Sequence, residues 1–92
     1  MTNQETAVEF GKSFARTTFN DMLNVNYQGP TFDWNNSKMF EGICAASLFT
    51  TYVEIPENIK ELEQVAVESL VKEWDVLKEE YLEKNGALPV NK

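Results

Sequence analysis

Residues 56–86 read PENIKELEQVAVESLVKEWDVLKEEYLEKNG, bounded by Pro56 and Gly86 with neither residue type between them. Set on a wheel at about 100° per residue with Glu57 at zero, the stretch divides cleanly. Ile59, Leu62, Ala66, Val67, Leu70, Trp74, Leu77 and Tyr81 fall between roughly 140° and 280°, the width of a core-facing stripe. Glu57, Glu61, Glu68, Asp75, Glu79 and Glu83 fall between roughly 0° and 80°, on the opposite side. Glu54 joins them if the helix extends back to it, and Val65 and Lys72 are the other members of that arc. The ends are also marked. Proline suits the first helical position and early acids suit the positive end of the dipole. Lys84 sits at the negative end, Gly86 supplies a left-handed cap, and Pro89 prevents the helix from restarting. Some thirty residues at about 1.5 Å each make a rod of roughly 45 Å, long for so short a chain. Either it bends, or one end projects beyond the core and pairs with a second copy.

Working outward from that rod, residues 37–53 predict a second helix with Asn36 or Ser37 as its N-cap. Met39, Phe40, Ile43, Cys44, Ala46, Leu48, Phe49, Tyr52 and Val53 cover nearly all its sides, which points to a central, buried element. Thr50 to Val53 favour strand, so the last turn is open between the two conformations. The first helix is predicted over about residues 3–24. Thr2-Asn3-Gln4-Glu5 fits a capping box, and Ala7, Phe10, Phe14, Thr18 and Met22 recur at helical steps. Ala7, Gly11 and Ala15 are small residues four apart. They allow another helix close approach, which explains a glycine that costs roughly 1 kcal/mol of helix propensity. Residues 25–36 read as a loop or short hairpin around Gly29-Pro30, carrying Tyr27, Phe32 and Trp34 as core caps or as an aromatic contact patch. The expected fold class is all-α: one three-helix domain over residues 1–92, helices at about 3–24, 37–53 and 56–85.

Composition narrows the function. A chain of 92 residues fits one small domain. With 42% hydrophobic and 12% aromatic residues, wholesale disorder is disfavoured. No apolar run is long enough to span a membrane, and the first twenty residues lack the basic and apolar regions of a signal peptide. A single cysteine makes no internal disulfide, which fits a reducing, cytoplasmic setting. There is no histidine, so the commonest general acid–base group at neutral pH is missing, and with it any zinc ligand set. The four glycines are scattered and make no phosphate loop, no calcium loop is present, and Cys44 lies in an apolar run as an inert core thiol. Neither an enzyme nor a cofactor is expected.

The charge is uneven. Residues 1–53 carry five acids against Lys12, Arg16 and Lys38, whereas residues 54–83 carry ten acids against Lys60, Lys72 and Lys78. The net charge of −7 is therefore concentrated in one segment, which repels phosphate backbones and anionic lipid and attracts basic partners. Direct nucleic-acid binding is disfavoured by a chain with one arginine. Glu57 to Glu61 and Glu79 to Glu83 are like-charge pairs at four-residue spacing, each costing a few tenths of a kcal/mol. An ordinary solvated face mixes its signs, so a self-repelling row hints at selection for negative potential.

Six carboxylates over about 39 Å give one per roughly 8 Å, against one phosphate per about 3.4 Å along a DNA strand. A two-fold dimer, with Val71 and Leu82 available for contact, would narrow that gap. The long acidic helix, with Trp74-Asp75 followed by Glu79-Glu80-Tyr81-Leu82-Glu83, resembles phage-encoded anti-restriction DNA mimics. That resemblance implies a small, acidic, mostly helical and often dimeric inhibitor that acts in the host cytoplasm. It would occupy the DNA site of a basic partner such as a restriction enzyme or nucleoid protein. On this reading Glu54, Glu57, Glu61, Glu68, Asp75, Glu79 and Glu83 are the partner-binding residues. The alternative is a structural or adaptor subunit that assembles through apolar helix faces, its acidity serving solubility alone. Glu68-Ser69-Leu70 is faintly similar to the attachment motif of acyl carrier proteins, but there the serine begins a helix, and here it falls inside one.

Overall fold

The computed structural model describes residues 2–24 and 37–86, all-α among those residues. Helix α1 spans Asn3–Asn24, α2 spans Lys38–Ser47 and continues as a 3-10 turn over Leu48–Thr51, and α3 spans Ile59–Asn85. The expectations for residues 25–36, including Tyr27, Phe32 and Trp34, and for Pro89 lie outside the described residues.

The start of α1 follows the capping-box prediction. The Thr2 N–H donates to the Glu5 carboxylate at 3.0 Å, and the Glu5 N–H donates to Thr2 Oγ1 at 3.1 Å. The Thr2 N–H first, and the Thr2 hydroxyl second, favour the charged carboxylate and hold the Glu5 pKa below its ordinary value. At the far end of α3, Gly86 takes a φ of 78° and its N–H donates to the Leu82 carbonyl at 2.8 Å, the left-handed cap expected there.

Two boundaries differ from the sequence reading. The second helix does not run regularly from 37 to 53. Ser37 is the N-cap without a side-chain capping bond, regular α-helix stops at Ser47, and Tyr52 is already extended. Thr50 and Thr51 explain the tightening, because their hydroxyls donate three residues back to the carbonyls of Ser47 and Leu48. The third helix starts at Ile59 instead of near Pro56. The Ile59 N–H bonds the Pro56 carbonyl in a preceding turn, and the Asn58 carbonyl accepts the first helical bond from Leu62. Pro56 therefore begins a turn, and Asn58 is the N-cap.

Contacts between helices fix the topology. Going up α1, Val8 meets Ser69, Gly11 faces Ala66 and Leu70, Arg16 pairs with Glu73, and Phe19 packs on Trp74 and Tyr81. The numbers rise together, so α1 and α3 run parallel. Helix α2 runs back antiparallel to both, packed on one side of the pair: Phe40 lies against Trp74 at one end, and Tyr52 donates its hydroxyl to the Asn3 carbonyl at the other. The domain is thus an up-down-up bundle in which α1 and α3 make the principal contact.

That contact depends on small residues. Ala7, Gly11 and Ala15 are all buried, as is Ala66 opposite. A Cβ built on Gly11 would overlap the Ala66 carbonyl oxygen and come within 2.8 Å of Ser69 Cβ and 3.0 Å of the Leu70 nitrogen. Ser69, inside the same contact, donates its hydroxyl to the Val8 carbonyl at 2.7 Å. Beyond this seam Leu48, Leu62 and Leu70 fill the centre, and Phe19 packs edge-on to Trp74 at a centroid distance of 5.1 Å. Tyr81 is the last residue of α3 in this core; Leu82 to Gly86 are exposed, so the rod projects by about one turn.

The expected central burial of the second helix is not observed. Cys44 and Leu48 face inward, but Met39 is 62% exposed and Ile43 56%. Because α1 and α3 meet directly, α2 packs from one side and leaves its other side in solvent.

Two outcomes follow for stability. Gly11→Ala should destabilise the domain by about 1–3 kcal/mol through overpacking, despite the gain of about 1 kcal/mol in helix propensity. A urea midpoint equal to or above that of the unsubstituted chain would contradict the close contact. Ser69→Ala should cost roughly 1 kcal/mol by the same measurement, the worth of one hydrogen bond.

Candidate protein-binding surface

The outer side of α3 turns away from Ala66, Leu70 and Trp74, which are buried. Glu61, Glu68, Asp75, Glu79 and Glu83 all lie on it and are all exposed. From Glu61 to Glu83 the helix rises about 33 Å, so these five carboxylates stand one per roughly 8 Å. Among the described residues Glu61, Glu68, Glu79 and Glu83 meet no lysine or arginine at ion-pairing distance. Asp75 does, at 3.6 Å from Lys78 Nζ.

Glu54 and Glu57 are placed differently from the rest. With the helix starting at Ile59, Glu57 lies in the turn before it and Glu54 in the bend before that turn, both exposed. Helical spacing therefore does not carry these two carboxylates onto the row, and the helical part of the stripe has five members.

The remaining acids of α3 do other work. Glu73 is drawn into the bundle, where its Oε2 accepts from Arg16 Nε at 2.7 Å. The Glu73 carboxylate, with Glu9 and Glu80 nearby, raises the Arg16 pKa above its ordinary value. Glu63 lies 3.8 Å from Lys60 Nζ on the preceding turn of the helix. Neither pair involves a carboxylate of the outer row.

Beside the row, α1 and α3 enclose a furrow of about 500 Å³ lined by Gln4, Val8, Lys12, Val65, Lys72 and Val76, among others. Val8, Val65 and Val76 line it together with Lys12, Lys72, Glu68 and Glu73, so its wall mixes apolar groups with charges of both signs. The acidic face thus shares Glu68 with this furrow, where Lys12, Lys72 and three valines lie beside it. Val65 and Lys72 read from the wheel as interruptions of the stripe; in the folded chain they belong to this furrow.

Other candidate chemistry is absorbed by the core. Ser69 is buried and bonded to Val8, so its hydroxyl is not presented for attachment of a group. Among the described residues no group of three or more Cys, Asp or Glu side chains is placed to hold a metal ion. No helix among the described residues is long and apolar enough to cross a membrane. Cys44 is fully buried, and burial pushes its thiol up to about 11.

Three features were missed by sequence reasoning. The Arg16–Glu73 pair joins residues 57 apart, a separation with no local signal. Ser69 lies at the wheel edge of the core side, where polar residues are common. The exposed α2 face was hidden because its apolar residues were all assigned to the interior.

The Cys44 shift gives a pH outcome with a definite sign. Above its ordinary value of 9.0 the unfolded chain loses the thiol proton that the folded chain keeps. The contribution of this group is therefore complete below about pH 9 and is lost as pH rises towards about 11. We expect the urea midpoint of the unsubstituted chain to fall more across this window than that of Cys44→Ala; parallel curves would contradict it.

No protein-family model, curated protein or solved structure matches this chain.

Proposed function

We propose that the chain is a non-enzymatic protein-binding inhibitor whose acidic α3 face docks in a basic, DNA-binding site of a partner protein. The observation that carries this reading is the row Glu61, Glu68, Asp75, Glu79 and Glu83 on one exposed side of a continuous helix. Four of the five carboxylates have no counter-ion within the described chain. Their mutual repulsion is relieved by a partner that brings lysines and arginines.

The mechanism is competition. Carboxylates take the positions that phosphates would occupy in the partner's groove, and counterions leave both surfaces on binding. At one carboxylate per roughly 8 Å, a single face supplies about half the charge density of a DNA strand. The match is therefore to a row of basic side chains on the partner, and shape beyond that row is read by other contacts. Helical rigidity contributes, because the carboxylates need little ordering on association. The valines of the neighbouring furrow offer apolar anchoring at the edge of the charged contact.

A second reading is favoured by a separate observation, the exposure of Met39 and Ile43 on α2. On it the chain is an adaptor that assembles through apolar faces. Ionic strength separates the two, since charge-driven binding is screened and apolar assembly is not.

The test uses DNA-binding proteins from a cell lysate, held on immobilised duplex DNA. The chain should release one or a few of them, and the release should weaken at least about tenfold between about 50 and about 500 mM salt. A variant carrying Glu61→Lys, Glu68→Lys, Asp75→Lys and Glu79→Lys should retain its helix content and release nothing. Equal release by both chains, or none by either, contradicts the proposal.

A further inference from the structure

The least charged face of the described bundle is the outer side of α2. Between Ser37 and Val53 the chain carries only Lys38 and Glu41, a net charge of zero in a protein of −7. Within this segment Met39, Gly42, Ile43 and Ala46 share the side opposite Cys44 and Leu48. Met39 and Ile43 are more than half exposed, and Phe49, just beyond, is 51% exposed. The following turn adds Val53 and Ile55, both exposed.

Gly42 lies in the middle of this face. A Cβ built there meets nothing within 4 Å, so no contact inside the described chain calls for a glycine. At Gly11 the same residue type is used to admit another helix, and a Cβ would collide. A glycine in a helix interior is unfavourable unless something else approaches it.

We infer that a second copy of this chain docks on the outer face of α2, helix against antiparallel helix about a two-fold axis between Gly42 and Ile43. The pattern of side-chain size is self-complementary in that register. A two-fold axis at that point sets Met39 of one copy opposite Ala46 of the other, and Ile43 opposite Gly42. Each large apolar side chain thereby faces a small one, and the same pairing recurs on both sides of the axis, as an isologous contact requires. Charge selects the same occupant. Two copies of a −7 chain repel each other wherever α3 faces α3, and the neutral α2 face is where they meet with least repulsion.

In this register Met39, Gly42, Ile43 and Ala46 of each copy meet directly, a small apolar contact that suits a reversible pair at high concentration. Val71 and Leu82 on α3, the positions singled out from the wheel, are the weaker candidates. Val71 is half-buried, Leu82 is 40% exposed, and both lie beside the acidic row. In the α2 pairing the two acidic faces point outward from opposite sides of the assembly and remain free. The inference holds whether or not the acidic face binds a partner.

Sedimentation equilibrium of the full chain tests it. At about 100 µM the unsubstituted chain should sediment at twice its 10.5 kDa mass, and dissociation should become at least about tenfold weaker as salt rises. Gly42→Leu is the informative variant. It has open space in the single chain and improves helix propensity, so it should raise the thermal midpoint of the isolated copy while filling the hollow that Ile43 of the second copy enters. It should sediment as a single copy, as should Ile43→Glu, with the helical circular dichroism of both retained. The lysine-substituted acidic-row variant should still pair, which separates failure of this inference from failure of the inhibitor reading. Three results overturn it: a single-copy mass for the unsubstituted chain at that concentration, a Gly42→Leu chain that pairs as tightly, or pairing abolished by Leu82→Glu but not by Ile43→Glu.

Discussion

The close approach of α1 to α3 at Gly11 governs this fold. With Ala66, Ser69 and Leu70 against the glycine, the two longest helices lie backbone to backbone, leaving no room between them even for a methyl group. Because they run parallel, the chain must run back before the second can start, and α2 is that return. Because they already cover each other, α2 has only one side left to bury. The exposed apolar face of α2 and the outward acidic face of α3 both follow from that one contact.

The same contact explains why the acidic row keeps its order. Interior packing is dense and leaves little freedom to rotate a helix about its axis. Leu62, Ala66, Leu70 and Trp74 are fixed in the core at helical steps, so the residues half a turn away are fixed in solvent. The Ser69 to Val8 hydrogen bond and the Arg16 to Glu73 ion pair lock the two helices in register along their length. A row of carboxylates on a rotating helix would smear its potential; on this one the potential has a direction.

Much of this was legible from residues alone, for reasons that are local. The capping box at Thr2 and Glu5, the left-handed cap at Gly86 and the small-residue stripe through Gly11 are short patterns whose chemistry is complete within a few positions. The division of α3 into core and acidic sides follows from its period. The start of α3 was misread because Pro56 and Asn58 both mark helix openings, and the Pro56 carbonyl is taken by the Ile59 amide in a separate turn. That difference removes Glu54 and Glu57 from the helical row. The burial of α2 was misread because an apolar circumference says that partners are wanted without saying how many are present. The Arg16 to Glu73 pair and the α1–α3 furrow depend on how two helices are juxtaposed, which no single stretch encodes.

Nuclear Overhauser contacts at Gly11 test the central claim most directly. The account predicts cross-peaks from the Gly11 α-protons to the Leu70 amide and the Ser69 β-protons, accompanied by Phe19 ring contacts to Trp74. Contacts from Gly11 to residues near Leu77 or Tyr81 instead, or an absence of any contact between the two helices, would contradict the parallel glycine seam and the directed acidic face that depends on it.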